Sequence, residues 1–246
     1  MIDIQNLTKS FGENLVWKEV TFQIEEGETL AIIGRSGSGK SVLIKHFNAL
    51  LYPDSGKVLI NGSNVFDMAY MELRKMRQNF GILFQGSALF DSINTFENIA
   101  FPLRYFTNQT ETEIQYNVEE ALEMVNLTGA GKKDTSELSG GMRKRVGLAR
   151  AIILKPDYLL YDEPTSGLDP QTSDEINELI IRLADNLDIT SVVVSHDMHS
   201  VLKVAEKVVF LENQSLCWYG TKDEMKESNN EDLLKFITAS EYKIKE

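Results

Sequence analysis

GRSGSGKS, residues 34–41, stands between the apolar run TLAIIG (29–34) and the helical pattern KSVLIKHFNALL (40–51). It matches G-x-x-x-x-G-K-[ST] with a strand before it and a helix after it, the context in which that pattern cradles phosphates. Glycines let the backbone turn tightly, so N–H groups along Gly34, Arg35, Ser36, Gly37, Ser38 and Gly39 can face phosphate oxygens. Lys40 then reaches the β- and γ-phosphates, and the Ser41 hydroxyl ligates Mg²⁺. The competing reading is a chance glycine-rich turn. Strand, loop and helix together outweigh it.

Working outward, further apolar runs recur at GILFQ (81–85), DYLLYDE (157–163) and TSVVVSHD (190–197). They are apolar throughout rather than alternating, which predicts strands buried on both faces of a largely parallel sheet. Helical patterns follow, at QTSDEINELIIRLADNL (171–187) and HSVLKVAEKV (199–208). This alternation predicts an α/β layered fold. MIDIQNLTKSF (1–11) and WKEVTFQIEEGE (17–28) alternate better and predict antiparallel strands open on one face.

Between Asp91 and Leu154 the pattern changes. TETEIQYNVEEALEMVNLTG (110–129) places Ile114, Val118, Ala121, Leu122 and Val125 on one helical face. GMRKRVGLARAIIL (141–154) reads as a second helix. The expected organisation is a core from 1–90 and 155–220, an inserted helical subdomain at 91–154, and a C-terminal extension at 221–246 with a short helix carrying Leu233, Leu234 and Ile237.

Carboxylates and amides gather at the expected strand ends. YLLYDE closes on Asp162, suited to a metal contact, and on Glu163, which faces the other way and can polarise an attacking water. Gln85 ends GILFQ, where a long amide can touch both Mg²⁺ and water. His196 ends TSVVVSH in the same manner, at the edge where parallel strands meet a ligand. His199, three residues on, makes only a weak metal pair with it.

Lysine plus arginine number 25 and aspartate plus glutamate 37, a net charge of −12. That argues against binding nucleic acid through bulk electrostatics. The run Arg143, Lys144, Arg145 accordingly reads as a solvated helix face. No apolar run reaches the ~18 residues of a membrane span, and the start lacks a signal-peptide pattern. The single Cys217 fits a reducing compartment. The expectation is a soluble intracellular protein.

With GRSGSGKS, Gln85, LSGGM (138–142), YLLYDEP (158–164), SGLD (166–169) and Ser195-His196 in this order, the chain resembles the ATPases of ATP-binding cassette (ABC) transporters over essentially its whole length. The resemblance implies a P-loop NTPase with a RecA-like core, an antiparallel β subdomain and an inserted helical subdomain. It implies ATP and Mg²⁺ as cofactors, with Phe11 stacking on adenine, Ser41, Gln85 and Asp162 serving the metal, and Glu163, His196 and Gln85 serving hydrolysis. It further implies a head-to-tail homodimer. Ser139 and the N–H groups of Gly140 and Gly141 on one subunit complete the γ-phosphate site of the other, with Asp169 at the same seam. The common signature ends in glutamine where this chain has Met142, which cannot supply that amide's hydrogen bonds.

The stretch LFQGSALFDSINTFENIAFPLR (83–104) and the block SELSGGMRKRVGLARAI (136–152) are similar to the ATPases of MCE-associated phospholipid transport systems of the Mla type. That resemblance includes the methionine signature. It implies movement of phospholipid between inner and outer membranes at the cytoplasmic face of a bacterial inner membrane. The implied partners are an integral-membrane permease, an MCE-domain substrate-binding protein and a small STAS-type accessory subunit, without nucleic acid. An amino-acid or ion importer ATPase is the alternative. A chromosome-handling ABC ATPase lacks its coiled coil here, and a ribosome-associated factor would carry two cassettes.

Overall fold

The computed structural model describes residues 1–240. Residues 241–246, the charged end of the expected C-terminal extension, lie outside the described residues. In chain order the strands are β1 (Ile2–Phe11), β2 (Asn14–Ile24), β3 (Thr29–Ile33), β4 (Ser55–Ile60), β5 (Ser63–Asn64), β6 (Phe80–Leu83), β7 (Tyr158–Asp162), β8 (Thr190–Val194), β9 (Lys207–Glu212) and β10 (Ser215–Thr221). The α-helices are α1 (Lys40–Phe47), α2 (Tyr70–Arg77), α3 (Thr95–Phe106), α4 (Glu111–Met124), α5 (Gly140–Ile152), α6 (Pro170–Leu187), α7 (Met198–Val204), α8 (Lys222–Lys226) and α9 (Glu231–Ala239). They form two compact units, one from Met1–Arg77 with Thr190–Glu246, the other from Gln78–Ile189.

In the first unit β1 pairs antiparallel with β2 and β4, and β4 with β5. Along β2, Val20, Phe22 and Ile24 are buried while Thr21 and Gln23 are exposed, the alternation of a sheet with one wet face. A second set of strands places β3 parallel to both β8 and β9. Every residue of β3 and β8 is buried, as their unbroken apolar character requires.

The pattern at 199–208 is split by the structure. Helix α7 stops at Val204, and the chain turns into β9 and then antiparallel β10. The β-branched and aromatic run Val208, Val209, Phe210, Leu211 is fully buried beside β3, so strand packing wins over local helical periodicity. Asn213 (φ 48) and Gln214 (φ 61) make the two-residue turn, both in the left-handed region that tight hairpins need.

On helix α9, Leu233, Phe236 and Ile237 join Ala31, Ile33, Val201 and Phe210 in one buried cluster, so this chain itself buries them, whereas Leu234, expected on the same side, is exposed. Asn230 caps α9 and also donates to the Cys217 carbonyl, tying the helix to β10.

The second unit pairs β6 parallel to β7, from Phe80 opposite Tyr158 to Leu83 opposite Tyr161. Helix α4 begins at a reciprocal Thr110–Glu113 capping box and buries Ile114, Val118, Ala121 and Leu122, the predicted face. Helix α5 packs close to β6, because a Cβ on Gly147 would lie 2.7 Å from Leu83 Cδ1.

Candidate functional site

The first unit holds the cradle. Gly39 caps α1 at φ 89, ψ 12, and its carbonyl accepts from the buried Trp17 indole at 3.5 Å. A Cβ there would lie 2.4 Å from Val16 Cγ1 and 2.7 Å from Trp17 Nε1, so both conformation and space require glycine. Lys40 is buried, and its Nζ donates to the Gly34 carbonyl at 2.8 Å and the Arg35 carbonyl at 3.0 Å. The loop therefore wraps its own ammonium group. Ser41 follows in the first turn of α1. Arg35 pairs with Glu212 at 3.2 Å, while Arg35, Ser36 and Gly37 themselves are exposed.

Two observations test the fit to a phosphate. The loop concentrates positive charge at Lys40 inside a turn of backbone donors, which suits an anion. Ser38 Oγ, in the same loop, is buried with no hydrogen-bond partner, a donor that a phosphate oxygen would satisfy.

Phe11 closes β1 and is 49% exposed, so it is not a core aromatic. Lys9 Nζ sits 5.3 Å from its ring centroid. His196 is exposed in the turn after β8. Next to it, Asp197 caps α7 and accepts from both His199 N–H and the Ser200 hydroxyl.

The second unit holds the carboxylates and the signature. Asp162 ends β7, and Glu163 follows at φ 50, a left-handed conformation that is costly for a residue with a Cβ. Gln85 lies two residues beyond the end of β6 rather than on the strand, and its amide donates to the Ser166 hydroxyl at 3.4 Å. Ser87 and Ala88, just beyond, are also left-handed, at φ 60 and 46. Arg150 of α5 donates to both of their carbonyls at 2.8 Å. The turn carrying Gln85 is thus clasped from the signature helix.

The basic run on α5 is not the solvated face that its composition predicts. Arg143 alone is exposed. Arg145 pairs with Glu175 at 2.8 Å and donates to the Val125 carbonyl. Lys144 is only 4% exposed, and its Nζ donates to the Gln85 carbonyl at 2.5 Å and the Glu163 carbonyl at 3.1 Å. Burial lowers its pKa from the ordinary lysine value, against the opposing pull of Asp162 and Glu163. Composition gave no signal for this. The available clue was the spacing, since helical period places Lys144 on the side of Gly141, Gly147 and Leu148, all buried.

At the start of α5, Ser139 is the N-cap, exposed, with its hydroxyl accepting from Met142 N–H at 3.2 Å. Gly140 and Gly141 form the first turn, where helix N–H groups and the dipole favour an anion. A Cβ on Gly141 would lie 2.6 Å from Thr172 Cγ2. Thr172 is held in place by Asp169, the N-cap of α6, which accepts from its N–H and its hydroxyl. Those bonds also hold the Asp169 carboxyl below its ordinary pKa.

Comparisons with known proteins identify the family. Residues 17–166 match the model of the ABC transporter family. The chain is 40% identical to a probable ribonucleotide transport ATP-binding protein, mkl, of Mycobacterium leprae, over 96% of this chain and 68% of that protein. It is 39% identical to the intermembrane phospholipid transport system ATP-binding protein MlaF of Haemophilus influenzae, over 96% of this chain and 90% of that one. A methionine import ATP-binding protein, MetN, of Clostridium tetani is 38% identical over 89% of this chain and 69% of its own length. Among solved structures, the bacterial ABC transporter cassette MJ0796 in its dimeric form is similar at a TM-score of 0.82 and 31% identity, over 90% of this chain and 98% of that one. The same cassette is known in a post-hydrolysis state with ADP and Pi.

Proposed function

The chain belongs to the ABC transporter family as an ATP-binding, ATP-hydrolysing subunit, and from that premise we propose that it powers phospholipid transport between the inner and outer membranes of a bacterium. The observation that carries the cargo is the likeness to the Haemophilus phospholipid transport protein, which runs over 90% of that protein's length. Met142 in the signature supports the same reading. The methionine importer, at 38% identity, favours a second one, an amino-acid importer ATPase.

Within that function each unit has its proposed task. On the first, Lys40 and the loop N–H groups hold the ATP phosphates, Phe11 stacks on adenine, and His196 faces the reacting phosphate. On the second, Glu163 polarises the attacking water and Gln85 orients it. We propose Ser41, Gln85 and Asp162 as the residues that serve Mg²⁺, a hard cation suited to oxygen donors. When bound, it neutralises phosphate charge. Ser139, Gly140 and Gly141 serve the γ-phosphate bound by a second copy, a role supported by the dimeric form of the MJ0796 cassette.

No helix among the described residues is long and apolar enough to cross a membrane. We propose that, as for the ABC transporter family, the chain works with a membrane permease. We assign its docking place to the stretch 83–104 and the turn of helix after it, where Phe90 (44%), Phe101 (44%) and Tyr105 (61%) expose a run of touching rings. The proposed assembly sits at the cytoplasmic face of the inner membrane, with an MCE-domain protein and a STAS-type subunit as further partners. Gentle solubilisation of native membranes with a tagged chain tests it. Co-purification of a multi-span permease, an MCE-domain protein and phospholipid supports the reading. A permease with a receptor for a soluble solute would keep the ATPase and discard the lipid.

A further inference from the structure

The geometry points to Lys144 as a positioning residue that ties the signature helix to the two side chains proposed for hydrolysis. The inference rests on the reading of Gln85 and Glu163 as ATP-hydrolysing residues. The Lys144 ammonium group holds the backbone carbonyls of both residues, at 2.5 Å for Gln85 and 3.1 Å for Glu163.

Three features make this more than a buried salt link. First, a lysine only 4% exposed is costly to bury, and here two carbonyls compensate it by accepting directly from its ammonium group. Second, both carbonyls belong to turns in constrained conformations. Glu163 sits at φ 50, and the Gln85 turn continues through Ser87 and Ala88, both left-handed. Such conformations persist only where surrounding bonds hold them. Third, Lys144 and Ser139 belong to one helix and its cap, roughly 7.5 Å apart along the axis at helical rise. Whatever engages Ser139, Gly140 and Gly141 acts on the rigid body that also carries the Lys144 ammonium. A displacement of α5 therefore reaches Gln85 and Glu163 without any intervening loop.

The full chain carrying Lys144→Met, a side chain of similar length with no donor, tests this against the parent. Turnover should fall on the order of 10–100-fold, the usual effect of removing an outer partner of a reacting group. The KM for ATP should change by no more than ~3-fold, because positioning acts on the chemical step rather than on binding. Lys144→Arg can donate to both carbonyls and should restore turnover to within ~5-fold of the parent. Unchanged turnover in Lys144→Met overturns the proposal. So does a loss that Lys144→Arg fails to restore, or one matched by an equal rise in KM. If Lys144→Met does not fold, Lys144→Ala carries the same expectations. Glu163→Gln separates the premise from the inference. Parent-level hydrolysis by that variant removes the premise, whereas an inactive Glu163→Gln beside an unimpaired Lys144→Met removes only the role of Lys144.

Discussion

Gly39 and Gly141 each sit at the head of a helix beside a proposed phosphate contact, one in each unit, and they are glycine for different reasons. Gly39 needs its backbone: at φ 89 it lies where other residues are strained, and its Cβ would also strike Val16 and the indole of Trp17. Gly141 is an ordinary helical residue. It needs only room, because the Thr172 methyl occupies the place of its Cβ at 2.6 Å. Glycine in a helix is otherwise unfavourable by about 1 kcal/mol relative to alanine. The signature thus accepts a propensity cost so that α5 can lie close to the start of α6. A conformational requirement belongs to one residue. A packing requirement is shared with its neighbour.

That difference can be broken or sharpened by substitution. Gly39→Ala should have the largest effect, roughly 2–5 kcal/mol of stability, from left-handed strain and overpacking together. Thermal unfolding would show it, and trimming Val16 to Ala should relieve only the Val16 share of the overpacking, leaving the clash with Trp17 and the strain. Lys40→Ala should leave the fold intact and weaken ATP binding on the order of 10–100-fold, the worth of charge-assisted phosphate contacts. Titration with a fluorescent nucleotide measures this, and unchanged affinity would remove the cradle assignment. Gly141→Ala should cost only about 1 kcal/mol, since overpacking is partly offset by better helix propensity. Adding Thr172→Ser, which keeps the hydroxyl bonded to Asp169 and deletes the methyl, should recover that loss. If it does not, the glycine serves the backbone after all, and the contrast with Gly39 disappears.

Much of the second unit and the cradle is legible in sequence because burial on both faces leaves an unbroken apolar run. β3, β7 and β8 lie within runs of that kind, and β6 begins one residue before its run. The face of α4 is equally plain from its period. β9 and β10 are not, because Val204-Ala205-Glu206-Lys207 continues a helical pattern until Val208 to Leu211 find a place beside β3. That contact is between distant parts of the chain, which local periodicity does not carry. The burial of Lys144 escapes for a related reason. A lysine between two arginines reads as surface, and only the turns at Gln85 and Glu163 turn it inward. Likewise, the GG pair announces a helix start, but Thr172, which makes the second glycine necessary, lies in another helix.

The most direct test asks whether the signature of one copy serves the ATP of another. Glu163→Gln should slow turnover by a factor on the order of 10²–10⁴, as loss of a general base does, and so accumulate the ATP-bound state. Analytical ultracentrifugation of that variant with ATP and Mg²⁺ should show a dimer. Adding Ser139→Arg should leave ATP binding by each chain unchanged and abolish the dimer. An ATP-dependent dimer that persists with arginine at the cap of α5 would contradict the account.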